Sequence, residues 1–118
     1  MNKVIVAGSR TITDSKSINE ILERYCYSDV EIVSGGAQGV DKIGEDYGNV
    51  WSLPVKIFPA DWKQHDKAAG PIRNEEMAQY ADVLVAFWDG KSKGTRDMIN
   101  RALNHNLEVH VYIMKDNE

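Results

Sequence analysis

Three junctions in this chain bring glycine, hydroxyl and guanidinium groups together where exposed backbone amides can meet an anion. Asp89-Gly90-Lys91-Ser92-Lys93-Gly94-Thr95 follows an unbroken apolar run from Val83 to Trp88. It leads into Met98, Ile99, Ala102 and Leu103 at helical spacing. A strand that breaks into a glycine-rich turn at a helix start leaves several N–H groups without partners, and the helix dipole adds partial positive charge there. That arrangement seats phosphate. Gly8-Ser9-Arg10 and Ser34-Gly35-Gly36-Ala37-Gln38-Gly39 are junctions of the same kind.

Each junction contributes its own chemistry. Arg10 offers a planar, two-pronged donor for phosphate or carboxylate. Gly35, Gly36 and Gly39 let backbone approach a ligand with no Cβ intervening. Asp41 either accepts ribose hydroxyls or complements the positive start of the following helix. Ser92 and Thr95 add hydroxyls, with Thr95 doubling as a helix cap. The order and spacing of Gly90, Lys91 and Ser92 are not those of a P-loop. In Gly70-Pro71-Ile72-Arg73-Asn74, Arg73 and Asn74 fall in the first turn of a helix. A cation there calls for a partner anion, either Glu75 or Glu76 or a ligand. Trp62, Phe87 and Trp88 lie near the same edge, where an aromatic ring stacks on a base or fills core.

Other chemistries find no residues. His65, His105 and His110 lie far apart without metal-ligand spacing, and no Ser/His/Asp or Cys/His set appears, so neither a metal nor a cofactor is expected. The single cysteine, Cys26, excludes an internal disulfide and reads as core. A formal net charge of −4 counts against sequence-independent nucleic-acid binding, although Lys91, Lys93 and Arg96 form a local basic patch. With no signal segment and no long apolar span, the expectation is a cytoplasmic protein without membrane contact.

The elements that position these groups alternate from end to end. Strands are expected at 4–7, 30–33, 54–58, 82–88 and 107–113, and helices at 14–27, 38–48, 71–81 and 95–105. The first helix carries Asp14 at its start and Ser17 with Glu20 at capping-box spacing. Residues 59–70 read as the longest loop, and the last five residues as loose. At 118 residues the pattern gives one α/β domain, a five-stranded parallel sheet covered on both faces. Strand order 3-2-1-4-5 is expected, with 2-1-3-4-5 as the other possibility; ligands bind outside the carboxyl ends, where the order reverses. Loops 8–11 and 89–95 then form opposite walls of one crevice.

Four blocks, in order, carry a family resemblance over nearly the whole chain: Ala7-Gly-Ser-Arg10, Ser34-Gly-Gly-Ala-Gln-Gly-Val-Asp41, Gly70-Pro-Ile-Arg-Asn-Glu-Glu-Met77 and Ala86-Phe-Trp-Asp-Gly-Lys-Ser-Lys-Gly-Thr95. The chain resembles the SLOG superfamily, a Rossmann-like group that includes the DprA domain and the LOG phosphoribohydrolases. Within it, the chain is most similar to the small stand-alone YspA/YpsA-related branch. The resemblance implies a nucleotide-type ligand on these loops. The residues themselves suggest phosphate on 34–39 and 90–95, ribose near Asp41 or Asp89, and a base against Trp88 or Trp62. LOG enzymes cleave the N-glycosidic bond of nucleoside monophosphates with an Arg, matched by Arg73, and with a Glu three residues after the Gly-Thr pair. Gly94-Thr95 matches that pair, but the Glu position holds Met98, and Asp97 is one place early, about 100° around the helix. A thioether supplies neither general base nor charge stabilisation.

The expectation is therefore a binding module, a sensor or a phage-borne sponge, that pairs with a copy of itself. The alternative is an N-glycosidase using Arg73 with Asp89 or Asp97. A single-stranded DNA-binding role in the manner of the DprA domain is disfavoured by the acidic balance.

Overall fold

Alternate residues of each central strand feed two separate halves of the core. In the computed structural model, which describes residues 2–115, Val4 and Val6 join one apolar cluster while Ile5 and Ala7 join the other. The five strands are β1 (Asn2–Gly8), β2 (Val30–Ser34), β3 (Val55–Ile57), β4 (Val83–Trp88) and β5 (Glu108–Ile113). All pair in parallel in the order β3-β2-β1-β4-β5. β1 and β4 run side by side from Val4 opposite Val83 to Gly8 opposite Phe87. The order reverses between them, so their carboxyl ends open into one crevice, as expected for this topology.

One face of the sheet is covered by α1 (Ser15–Leu22) and α2 (Val40–Val50), the other by α4 (Ala69–Tyr80) and α5 (Lys93–Asn104). A short α3 (Trp62–His65) and a 3₁₀ turn (Asp66–Ala68) lead directly into α4. α2 lies very close to the sheet through Gly44 and Gly48. A Cβ on Gly44 would stand 2.7 Å from Val6, and one on Gly48 2.6 Å from Val55.

Several boundaries differ from the sequence expectation. α1 ends at Leu22 rather than at residue 27, its N-cap being Asp14, whose carboxylate accepts from the Ser17 amide. Beyond Leu22 the chain tightens into turns, with Arg24 N–H donating to Ile21 and Tyr25 N–H to Leu22. Tyr25 instead packs its ring 4.5 Å from His110 and pairs its hydroxyl with Tyr112, a tertiary contact that outweighs weak helix propensity. Cys26 is core, and burial pushes its thiol up to about 12. The 59–70 segment is not a plain loop: the Asp61 carboxylate accepts from the Gln64 amide and starts α3. Asp61-x-x-Gln64 is a capping pattern masked by the neighbouring Pro59 and Gly70. Met114 is not loose, since its amide donates to Trp88 and its side chain packs on the core; residues 116–118 lie outside the described part.

Candidate functional site

The crevice at the β1/β4 ends is a cavity of about 700 Å³, within the range of small-molecule sites. Its buried side is apolar, made by Ala7, Met77 and Met98. Its polar rim comes from every glycine-rich junction: Gly8, Ser9 and Arg10 at the end of β1, Ala37 and Asp41 at the start of α2, Asp89 and Ser92 between β4 and α5, and Gly94 and Thr95 in the first turn of α5. Arg73 and Asn74 close it from α4, and Trp62, 53% exposed, stands at its open side.

A second cavity of about 490 Å³ adjoins it and shares Arg10, Ala37, Trp62 and Arg73. Gly35 and Gly36 line this second chamber, not the first. Gly39 takes a φ of +73° at the N-cap of α2, with the Arg10 backbone 2.5 Å from where its Cβ would be, so only glycine lets these two loops meet.

Arg73 is the hinge between the chambers. α4 begins at Ala69, two residues before Pro71, so Arg73 and Asn74 sit in its second turn and not the first. Neither Glu75 nor Glu76 is the partner of Arg73. Its Nη1 donates to the Gly35 carbonyl and its Nε to Asn74 Oδ1 at 3.0 Å, while Asp41 supplies the opposing charge. Burial lowers the guanidinium's pKa, Asp41 raises it, and the nearby Arg10 charge lowers it. The Arg10 charge thus acts on Arg73 across the shared rim.

Asp41 is 6% exposed, and burial pushes its pKa up to about 6. The Ala37 amide, donating at 3.2 Å, the Arg73 charge and the Gly8 amide pull it down, whereas Glu45 pushes it further up. Gly35 makes this pairing possible. A Cβ there would stand 2.6 Å from Arg73 Nη1 and 3.0 Å from Asp41 Oδ2.

The other carboxylates are engaged elsewhere. Asp89 Oδ1 accepts from the Lys91 and Ser92 amides at 2.8 and 2.7 Å, so two amides of that loop meet a side chain of the protein itself. Asp97 accepts from Asn74 Nδ2 and from Arg101 Nε, both at 2.9 Å. Arg101 in turn meets Glu75, which also meets His105. Glu75's pKa is lowered by its hydrogen bond to His105 first, then by those to Gln79 and Arg101. α4 and α5 are thereby laced together beside the cavity.

Ser92, not Thr95, caps α5, which starts at Lys93; its hydroxyl accepts from the Thr95 amide and lies 3.2 Å from Thr95 Oγ1. Ser9 is buried and its hydroxyl accepts from the Asp89 amide at 3.3 Å, tying the first and third junctions together. Ser34, also buried, donates to Glu45 Oε2 at 2.6 Å, and Trp88 donates its indole N–H to the Ser92 carbonyl at 3.0 Å. Neither Ser34 nor Trp88 lines a chamber, whereas Trp62 lines both. Gly90 has a φ of +82°, and neither it nor Gly94 has any atom within 4 Å of an added Cβ. Among the described residues no His, Cys, Asp and Glu group has the arrangement of a metal site. No helix among them is long and apolar enough to cross a membrane.

Comparison with known proteins starts from a match of residues 2–65 to the family described as YspA, cpYpsA-related SLOG. The chain belongs to this SLOG family. The Gene 61 protein of Mycobacterium phage D29 is 34% identical over 119 residues, covering 92% of this chain and 94% of that protein. DNA processing protein A (DprA) from Streptococcus pneumoniae superposes with a TM-score of 0.77 at 19% identity, over 94% of this chain and 50% of that one. The chain therefore spans only half the length of that structure. A predicted subunit of tRNA methyltransferase from Methanocaldococcus jannaschii superposes at 0.51 with 15% identity, over 97% and 69% of the two chains. These structures share the Rossmann-like fold with this chain.

Proposed function

We propose that this protein binds a nucleotide-type ligand in the crevice at the carboxyl edge of the sheet, as a sensor or sequestering module. The observation that carries the reading is the pair Arg10 and Arg73. Both line one ligand-sized cavity, and the Arg10 charge acts on Arg73. A bound phosphate relieves that repulsion and gains charge-assisted hydrogen bonds from both guanidinium groups. The first residues of α5, Lys93 and Gly94, face the same space and add the helix-start field. Trp62 offers an exposed ring for stacking, whereas Trp88 is committed to the loop backbone.

The test is a thermal-shift and calorimetric screen against nucleotides and their derivatives, because a ligand at a hundred times its dissociation constant adds about 2.7 kcal/mol. Arg73→Ala and Gly94→Val are expected to abolish the response while the domain stays folded. Unchanged affinity in both variants refutes the placement.

A second reading, hydrolysis of an N-glycosidic bond, draws support from Asp41. A buried carboxyl with a pKa of about 6 beside an arginine, in a cavity wall, suits proton delivery to a departing base, with water adding at the anomeric carbon. Free base released by the wild type and not by Asp41→Asn would support it; nucleotides recovered intact leave the binding reading alone.

A further inference from the structure

The second chamber extends the nucleotide reading, on which this inference rests. We infer that it takes a sugar joined to the nucleotide through its phosphates, so that the ligand class is a nucleoside diphosphate sugar. The two chambers, about 700 and 490 Å³, meet at a rim that carries both guanidinium groups and Trp62. A diphosphate is the ligand part that suits two neighbouring cations, and it carries a further group on its far side. The first chamber, with Met77 and Met98 on its buried side, suits a nucleoside. The second differs in chemistry. It combines the Gln38 amide and the Glu45 carboxylate with the aliphatic surfaces of Ile57, Pro59 and Ala60. Hydrogen-bonding groups beside short apolar surface match the hydroxyls and C–H faces of a sugar.

Two features keep that chamber ready. The buried Ser34 hydroxyl donates to Glu45 Oε2 at 2.6 Å and fixes the carboxylate in the wall. Gly36, at a φ of +76°, has Ile57 only 3.2 Å from where a Cβ would stand, so a side chain would crowd the space. Neither feature is required by a mononucleotide confined to the first chamber.

The experiment compares matched pairs by calorimetry: ADP with ADP-ribose, UDP with UDP-glucose, and GDP with GDP-mannose. At least one sugar conjugate is expected to bind tenfold or more tightly than its own diphosphate. Ala60→Trp, which fills the second chamber, and Gln38→Ala, which removes its neutral hydrogen-bonding amide, are each expected to erase that gain and leave diphosphate affinity within twofold. An unshifted melting curve of the free variants shows that each is folded. Diphosphates that bind as tightly as their sugar conjugates, or a gain that survives both substitutions, overturn the inference and leave the nucleotide reading standing. No binding by any member of the set overturns both.

Discussion

Replacing Asp41 with asparagine is expected to stabilise the domain at neutral pH. The carboxyl titrates near 6 in the folded protein against an ordinary value of 3.8, a difference of about two pK units. At about 1.36 kcal/mol per unit, holding it ionised above pH 6 costs about 3 kcal/mol relative to its protonated form. The sign follows from proton binding. Between about pH 4 and 6 the folded state holds the proton more firmly than the unfolded chain, so stability falls as pH rises through that window and stays lowered above it. Asparagine mimics the protonated group and its oxygen still accepts from the Ala37 amide. Urea unfolding of both proteins from pH 4 to 7.5 gives the comparison. The variant should gain up to about 3 kcal/mol near pH 7, a melting shift on the order of 10 °C, and almost nothing near pH 4. A difference that does not change with pH, or a variant weaker than the wild type at pH 7, refutes the account of Asp41 as a carboxylate held ionised against its burial.

Other expectations can be checked with the same material. Gly35→Ala places a methyl group between Arg73 and Asp41, and calorimetry should show nucleotide affinity reduced at least tenfold. Gly44→Val drives a side chain against Val6, and denaturant unfolding should show a loss of about 1–3 kcal/mol. Ligands with no terminal phosphate, such as ADP-ribose, keep a constant charge from pH 7 to 5 and should bind more tightly as pH falls, because protonating Asp41 removes a negative charge from the cavity. That trend, measured by calorimetry, should flatten in Asp41→Asn.

Sheet order and the convergence of the loops were legible because they depend on strand–helix alternation and on apolar runs that survive in one dimension. Val83–Trp88 could only be a buried strand, and a parallel sheet of five strands leaves few places for a crevice. The identity of Arg73's partner was not legible. Asp41 is 32 residues away in sequence, and only the approach of α2 and α4 beside the side-chain-free Gly35 brings the two charges together. Asp97 looked available for chemistry as an isolated letter, but Asn74 and Arg101 claim it in three dimensions. Two signals were present and passed over. Asp61-x-x-Gln64 marked a helix start, and Gly44-x-x-x-Gly48 marked the helix face that presses on the sheet. The elevated pKa of Asp41 had no signal at all, since burial of a single carboxyl is a property of the assembled fold.

The cavity is walled by parts of very unequal firmness. The junctions after β1, β2 and β4 hang from strands whose central residues are buried, the part of a fold that opens last. The 61–68 segment, which brings Trp62 to the rim, buries no residue at all and turns through Asp66 at a left-handed φ of +50°. Such a stretch opens for little free energy, without disturbing the rest. Under the proposed binding role, affinity and residence time would be governed by different halves of the molecule: the firm loops would set how well a ligand fits, and the opening of one exposed turn how soon it departs.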